Sequence, residues 1–323
     1  GLVSAWTADA ETGLNVGQFV PLEAITGPDG KHHVENAQNF LDISDRELLI
    51  TKNCQNPEKL LAWADDFYTD LASMQTFYGS IPDQIQDNGD GTYDDYTAAC
   101  RKGGVEGFLL LGVATNAHQN RSVNAFVAES VRRAIAEGFH AYGFMGISQD
   151  IDDFESEVNV SCADGLCGVK IHPDIQGVDI LDPRMLELYE LLQARDLPIC
   201  FHAGDHRPQF RNSEPPKIAR VARLFPHLRI NAAHFGGYTV FDDVGTLFSC
   251  ENVHVDLSSS LWLIDRERAL GLISYFGTER VMFGTDYPVK NPDEEIERFM
   301  KIDLTEKERE DIFYNNAKRF LGI

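Results

Sequence analysis

A chain of 323 residues, 43% apolar and 24% charged, can bury a large core, enough for two ordinary domains or one elaborated α/β barrel. Its 51 acidic against 28 basic residues leave a formal net charge of −23, which argues against nucleic acid or an anionic membrane as the main partner. No apolar run approaches the ~18 residues of a membrane span, and no basic segment followed by an apolar one opens the chain.

The six cysteines (54, 100, 162, 167, 200 and 250) are scattered, with only Cys162 and Cys167 close together and no second pair to complete a zinc knuckle. Reduced thiols in a cytoplasmic protein are the expectation, although a leader removed upstream would leave no trace. The expected partner is a small-molecule substrate, with a homodimer left open.

Residues 1–46 read as an irregular extension, and the barrel as residues 47–323. Short apolar runs then recur: "ELLITKN" (47–53), "EGFLLLGVA" (106–114), "HAYGFMGI" (140–147), "LCGVKIH" (166–172), "LPICFH" (197–202), "LRINAAH" (228–234), "NVHVDLS" (252–258) and "RVMFGTD" (280–286). Each is rich in Val, Ile, Leu or Phe, as strands buried on both faces are. Residues 78–95 read as a long loop after the first helix.

Between the strands, apolar residues three and four apart predict helices at 124–138, with Gly138 as C-cap, and at 182–196, with Asp182 as N-cap and Pro183 at the first helical position. Two more fall at 214–226 and 266–277. A last one at 305–322 opens with Thr305 and Glu308 at capping-box spacing. Eight strands alternating with helices predict an α/β fold of the TIM-barrel type, (β/α)8. No G-x-G-x-x-G turn announces the open doubly wound alternative.

Active sites of such barrels lie at the C-terminal ends of the strands. Read in order, those ends carry Cys54, His172, His202, His234, Asp256 with Ser258, and Asp286. Three histidines closing consecutive strands, with a carboxylate on the last strand, form a donor set suited to zinc or a similar divalent ion.

The blocks "GVKIHPDIQG", "FHAGDHR", "AAHFGGY", "VDLSSSLW" and "ERVMFGTDYP" resemble the amidohydrolase superfamily, in its amidohydrolase-related branch of metal-dependent hydrolases and decarboxylases. The resemblance implies a metal ligand at His202 and a ligand or base at Asp286. It implies a second-metal ligand or substrate-polarising residue at His234. Lys170 and His172 share a face of the fourth strand. The resemblance allows a carbamylated lysine there, and a hydrogen-bonding core lysine is the alternative. His172 reads equally as a substrate contact or a satisfied rim residue. His206 and Arg207 are candidates for an anionic group of the substrate, with a surface salt bridge as the alternative.

The chain departs from that pattern at its first strand. The family carries an H-x-H pair there, and alignment on Pro57 puts Lys52 and Cys54 in its place; no H-x-H occurs anywhere in the chain. Period-two alternation sends both side chains to one face, into the barrel mouth. Three readings stay open. Cys54 thiolate can join His202 and Asp286 around one zinc ion, with His234 nearby. Lys52 can replace the metal as the positive charge that polarises the substrate. Or the barrel is non-catalytic and binds a small molecule or a partner protein. The first two make it a hydrolase or decarboxylase of a small polar molecule with a depleted mononuclear metal site or none.

Overall fold

The computed structural model describes residues 91–207 and 210–323. The first predicted strand, with Lys52 and Cys54, therefore lies outside the described residues, as does the extension 1–46. Residues Asn88–Ile323 form one compact unit.

Seven strands run parallel in unbroken chain order: β1 (Gly107–Leu111), β2 (His140–Gly146), β3 (Val169–Ile171), β4 (Ile199–Phe201), β5 (Ile230–Ala232), β6 (Val253–Asp256) and β7 (Val281–Met282). They fall inside the second to eighth predicted runs, in the order that a (β/α)8 barrel of the TIM type requires. Helices alternate with them: α1 (Tyr93–Lys102), α2 (Ala117–Ala136), α3 (Phe154–Ala163), the single turn α4 (Pro173–Gln176), α5 (Pro183–Ala194), α6 (Pro215–Leu224), α7 (Arg266–Phe276) and α8 (Pro292–Met300). The chain closes on α9 (Glu306–Glu310), a π turn over Asp311–Asn315, and α10 (Asn316–Leu321).

Register explains why the strands are apolar on one face and mixed on the other. Val169, Ile199, Ile230 and Val253 pair side by side, as do Ile171, Phe201, Ala232 and Val255. These belts meet Met185, Leu188 and Leu192 of α5 and Ile218 and Val221 of α6 in the main core. The residues between them, Lys170, Cys200, Asn231 and His254, form the matching row on the inner face. A second cluster inside the sheet packs Phe144, Met282 and Phe320 with Cys200 and Ala233.

Helix ends follow the local chemistry. Asp182 caps α5 by accepting from Arg184 N, and Thr305 with Glu308 forms the capping box of α9. Two readings need correction. The helix expected at 124–138 begins at Ala117 behind the N-cap Asn116. Its first turns carry Asn120 and Asn124, buried because their amides serve the backbone of Gly146 and Ser148, and an apolar period cannot see them. Tyr93–Asp95, read as loop, open α1 behind Thr92, whose side chain accepts from Asp95 N.

Among the described residues no helix is long and apolar enough to cross a membrane. The five described cysteines are free thiols.

Candidate active site

His172 and His202 follow directly on β3 and β4, His234 follows β5 by one residue, and Asp286 stands beyond β7. The first three converge. The rings of His172 and His202 stack at 3.9 Å between centroids and 10° between planes. His234 meets His202 edge-on, its Nε2 3.0 Å from His202 Nδ1. Each ring has a local anchor. His172 is the N-cap of α4 and accepts from Ile175 N at Nδ1, while its own N–H donates to Gln176. Buried Gln176 also donates to Ala114 O and Ile147 O, so one side chain ties together the tops of β1, β2 and β3.

Hydrogen-bond direction follows from the donor inventory. The Asp256 carboxylate accepts from His234 N, Ser258 N, Ser258 Oγ and Asn231 Nδ2. Ser258 Oγ thus spends its one proton on Asp256 and offers only lone pairs to His234 Nδ1 at 3.0 Å. The Ser258 carbonyl lies 2.9 Å from the same nitrogen and is also an acceptor. His234 therefore carries its proton on Nδ1. In the neutral ring Nε2 accepts, so His202 donates from Nδ1 and keeps a lone pair at Nε2.

Electrostatics agree with neutral rings at His172 and His202. Burial, then the charge of His172, His234 and Lys170, holds His202 well below the usual histidine range. Burial, followed by Lys170 and His234, does the same for His172. A neutral His172 that accepts at Nδ1 carries its proton on Nε2. The mouth thus sets an imidazole donor beside an imidazole acceptor.

Asp286 is solvent-exposed and its Oδ2 accepts from Ser259 Oγ at 2.7 Å. His234, Ser259 and Asp286 all sit in the left-handed region, with φ of 61°, 49° and 57°. Such backbone is costly for side-chain-bearing residues and collects at functional sites.

Of the other sequence candidates, Lys170 is buried, 7% exposed, on the inner face of β3, its ammonium 3.7 Å from Cys200 Sγ. Arg207 turns back on buried Asp205, with Nε 2.9 Å from Oδ1 and a terminal nitrogen 2.6 Å from Oδ2, so a substrate anion there would compete with Asp205. His206 is exposed and pairs with Thr239 Oγ1. Lys52 and Cys54 lie outside the described residues.

Sequence reasoning passed over Tyr238, whose ring lies 5.6 Å from that of His234 and 6.2 Å from that of His202. Burial, then the carboxylate of Asp205, raises its phenol. It also passed over Ser259, Asn231 and Gln176. Tyr238 ends the "AAHFGGY" block, Ser259 lies inside "VDLSSS" and Gln176 inside "GVKIHPDIQG", so three of the four stood within singled-out motifs.

A match to the family model described as "Amidohydrolase" covers residues 33–323. The chain belongs to the amidohydrolase family. No curated protein matches it. Among solved structures it is similar to a 2,6-dihydroxybenzoate decarboxylase complexed with 2,6-dihydroxybenzoate, at 18% identity and TM-score 0.62, over 78% of this chain and 96% of that one. The dihydroxybenzoic acid decarboxylase from Polaromonas sp. JS666, with bound manganese and the inhibitor 2-nitroresorcinol, is similar at 15% and 0.59, over 77% and 92%. An amidohydrolase from Burkholderia multivorans follows at 17% and 0.55, over 74% and 94%. At these identities the likeness speaks for the shared barrel fold.

A family metal can be tested against the donors in place. His202 Nε2 and the Asp286 carboxylate are suitable ligand types, but a catalytic ion takes about three protein donors. Among the described residues no three His, Cys, Asp or Glu side chains gather closely enough to hold one. Both nitrogens of His234 are engaged, so an ion there would have to displace Ser258 or His202. The described residues do not by themselves fit a closed metal site.

Proposed function

We propose that this amidohydrolase-family protein is an enzyme that hydrolyses or decarboxylates a small polar molecule at the C-terminal mouth of its barrel, holding one metal ion or none. The observation that carries the proposal is the directed pair His234–His202, backed by Ser258 and Asp256, which leaves an imidazole nitrogen with a free lone pair at a barrel mouth. The decarboxylases and the amidohydrolase among the similar structures support the two reaction types.

In this reading His202 Nε2 accepts a proton from a water or a substrate hydroxyl. The Nδ1 proton of His202 then shifts towards His234 Nε2, and the positive charge comes to rest on the ring nearest Asp256. Asp286, oriented by Ser259, exchanges a second proton with the substrate, and a positioned acid–base group of this kind contributes about 10² to 10⁴ in rate. Cys54 is the proposed further donor should an ion bind with His202 and Asp286.

The test is twofold. Protein purified without chelator is analysed by mass spectrometry for zinc and manganese, and its turnover of hydroxylated aromatic acids, amides and lactones is followed by NMR. One ion or less per chain, with turnover lost in His202→Asn, is the expected result. Two ions per chain would overturn the metal assignment. Absence of turnover over the whole panel would leave the non-catalytic barrel as the reading.

A further inference from the structure

Tyr238 stands on the connection that follows β5, and both of its backbone polar groups are engaged. Its N–H donates to Ala203 O at 2.6 Å, which ties it to the connection after β4. Its carbonyl accepts from Thr239 Oγ1 at 2.7 Å. That hydroxyl has spent its proton, so its lone pairs accept from His206 N at 3.0 Å and join the same two connections a second time. The backbones themselves touch. A Cβ at Gly204 would come within 2.8 Å of Gly237 Cα, an approach that glycine alone permits, and Gly204 also sits at a φ of 73°. Thr239 completes the latch at a φ of 58°, although it bears a side chain.

The latch aims a ring at the histidine pair. The Tyr238 ring lies 5.6 Å from that of His234, at 65° between planes, and 6.2 Å from that of His202, at 52°. The two imidazoles are 4.8 Å apart at 65°. All three rings thus meet at steep angles and within the range over which aromatic quadrupoles attract. Each imidazole needs the help. The terminal torsion of histidine is broad, so a single N–H···N bond lets either ring swing out of line. His172, stacked on His202 at 3.9 Å, restrains its tilt but not its slide within the plane. A ring set at a steep angle closes that direction.

We infer that Tyr238 is a positioning residue, whose ring holds His202 and His234 in the alignment that makes their directed N–H···N bond. This deepens the function proposed above and rests on it only for the statement that the pair handles protons in turnover. The ring does the positioning, and the phenolic hydroxyl takes no part in it. The connections after β4 and β5 supply one histidine each, and they are locked together at the residue that aligns the two. Without the ring both imidazoles would remain at the mouth, but a proton accepted at His202 Nε2 would have no relay to His234.

The test reads proton positions directly. The full chain, with its histidines labelled in 15N, is examined by long-range proton–nitrogen correlation, which shows which ring nitrogen carries the proton. In the parent His202 and His234 should both hold it on Nδ1. Tyr238→Leu removes the ring and should return His202 to a mixture of tautomers, while the Ser258 carbonyl keeps His234 as it is. The same variant should lower kcat about tenfold, the worth of two edge-to-face pairs, and leave KM unchanged. Tyr238→Phe restores the ring and should recover both the His202 signature and kcat. Thr239→Gly suits the left-handed backbone and removes the latch hydroxyl without touching the ring, so it should move His202 in the same direction as Tyr238→Leu. An unaltered His202 signature in Tyr238→Leu, or in Thr239→Gly where Tyr238→Leu does not fold, would overturn the inference. So would an equal loss in Tyr238→Phe and Tyr238→Leu, which would put the role in the hydroxyl. Mixed tautomers in Tyr238→Leu with no turnover in the parent would keep the positioning role and reject only the enzymatic reading.

Discussion

At the N-terminal ends of the strands, side-chain donors close backbone accounts. Asn252 donates to the carbonyls of Ala222, Phe225 and Leu228, Asn316 to those of Thr278 and Val281, and Arg280 to those of Phe248, Cys250 and Phe276. Left-handed positions in the turns leading into these ends are mostly glycines, such as Gly138, Gly165 and Gly277, with Asp196 the exception. At the C-terminal ends the left-handed positions include His234, Phe235, Thr239, Ser259 and Asp286. There, side chains bond to one another as well as to backbone, as His202, His234, Ser258 and Asp256 do.

Both ends belong to the same strands, so strand chemistry does not explain the contrast. The floor mostly uses glycine where φ must be positive and satisfies its carbonyls, which favours stability. The mouth keeps side chains where glycine would be cheaper, at a cost of order 1–3 kcal/mol for each strained residue. What is retained against stability is retained for another use.

The comparison is open to attack from both sides, and the mouth offers the largest effect. Asp286→Asn should lower turnover about 10²- to 10⁴-fold while shifting Tm by little, since the residue is exposed and its contact to Ser259 is a single bond. Turnover and thermal unfolding of the variant, measured side by side, decide it. Full activity in Asp286→Asn would place the acid–base group elsewhere.

The floor predicts the reverse pattern. Phe320 is 2% exposed and packs on Phe144 and His254, with ring centroids 6.3 and 5.2 Å away. Phe320→Ala should cost about 3–5 kcal/mol by denaturant unfolding, yet leave ligand affinity at the mouth unchanged below its Tm. A loss of affinity larger than about threefold, or roughly 0.65 kcal/mol, would show that the two ends are coupled.

A smaller effect sharpens the contrast through pH. Burial, then Arg280, Arg229 and Arg319, lowers His254 from an ordinary value of 6.5 to about 4. Its folded pKa lies below its unfolded one, so between them the unfolded chain binds the extra proton and stability falls as pH falls. The contribution is complete above about pH 6.5 and gone below about pH 4, worth roughly 3 kcal/mol across that window. His254→Leu should flatten this part of the stability–pH curve. His172 and His202, which titrate in the same direction, contribute to the slope that remains. An unchanged slope would mean that His254 is already solvated in the folded state.

Much of this was readable from residue order. Strand positions follow from burial on both faces, which demands continuous apolar runs, and the caps at Asp182 and Thr305 from local donors and acceptors. The strand-end histidines were legible because each interrupts an apolar run immediately before a turn. Helix α2 starts at Ala117 rather than Asn124 because Asn120 and Asn124 are buried for hydrogen bonding, and polarity in a sequence does not say which way a side chain faces. Arg207 left an anion contact and a salt bridge equally open, because a sequence does not show that Asp205, two residues away, fills its fork.

What the sequence by itself determined is the inventory: a barrel-forming alternation of strands and helices, the family, and a set of imidazoles and carboxylates at consecutive strand ends. What only the tertiary structure decided is direction. That His234 holds its proton on Nδ1 depends on Ser258 having spent its own on Asp256, and that His202 is left with a bare nitrogen depends on His234 in turn. Proton positions are properties of pairs distant in sequence, separated by 24 residues for His234 and Ser258 and by 32 for His202 and His234, and they exist only once folding has brought the partners together.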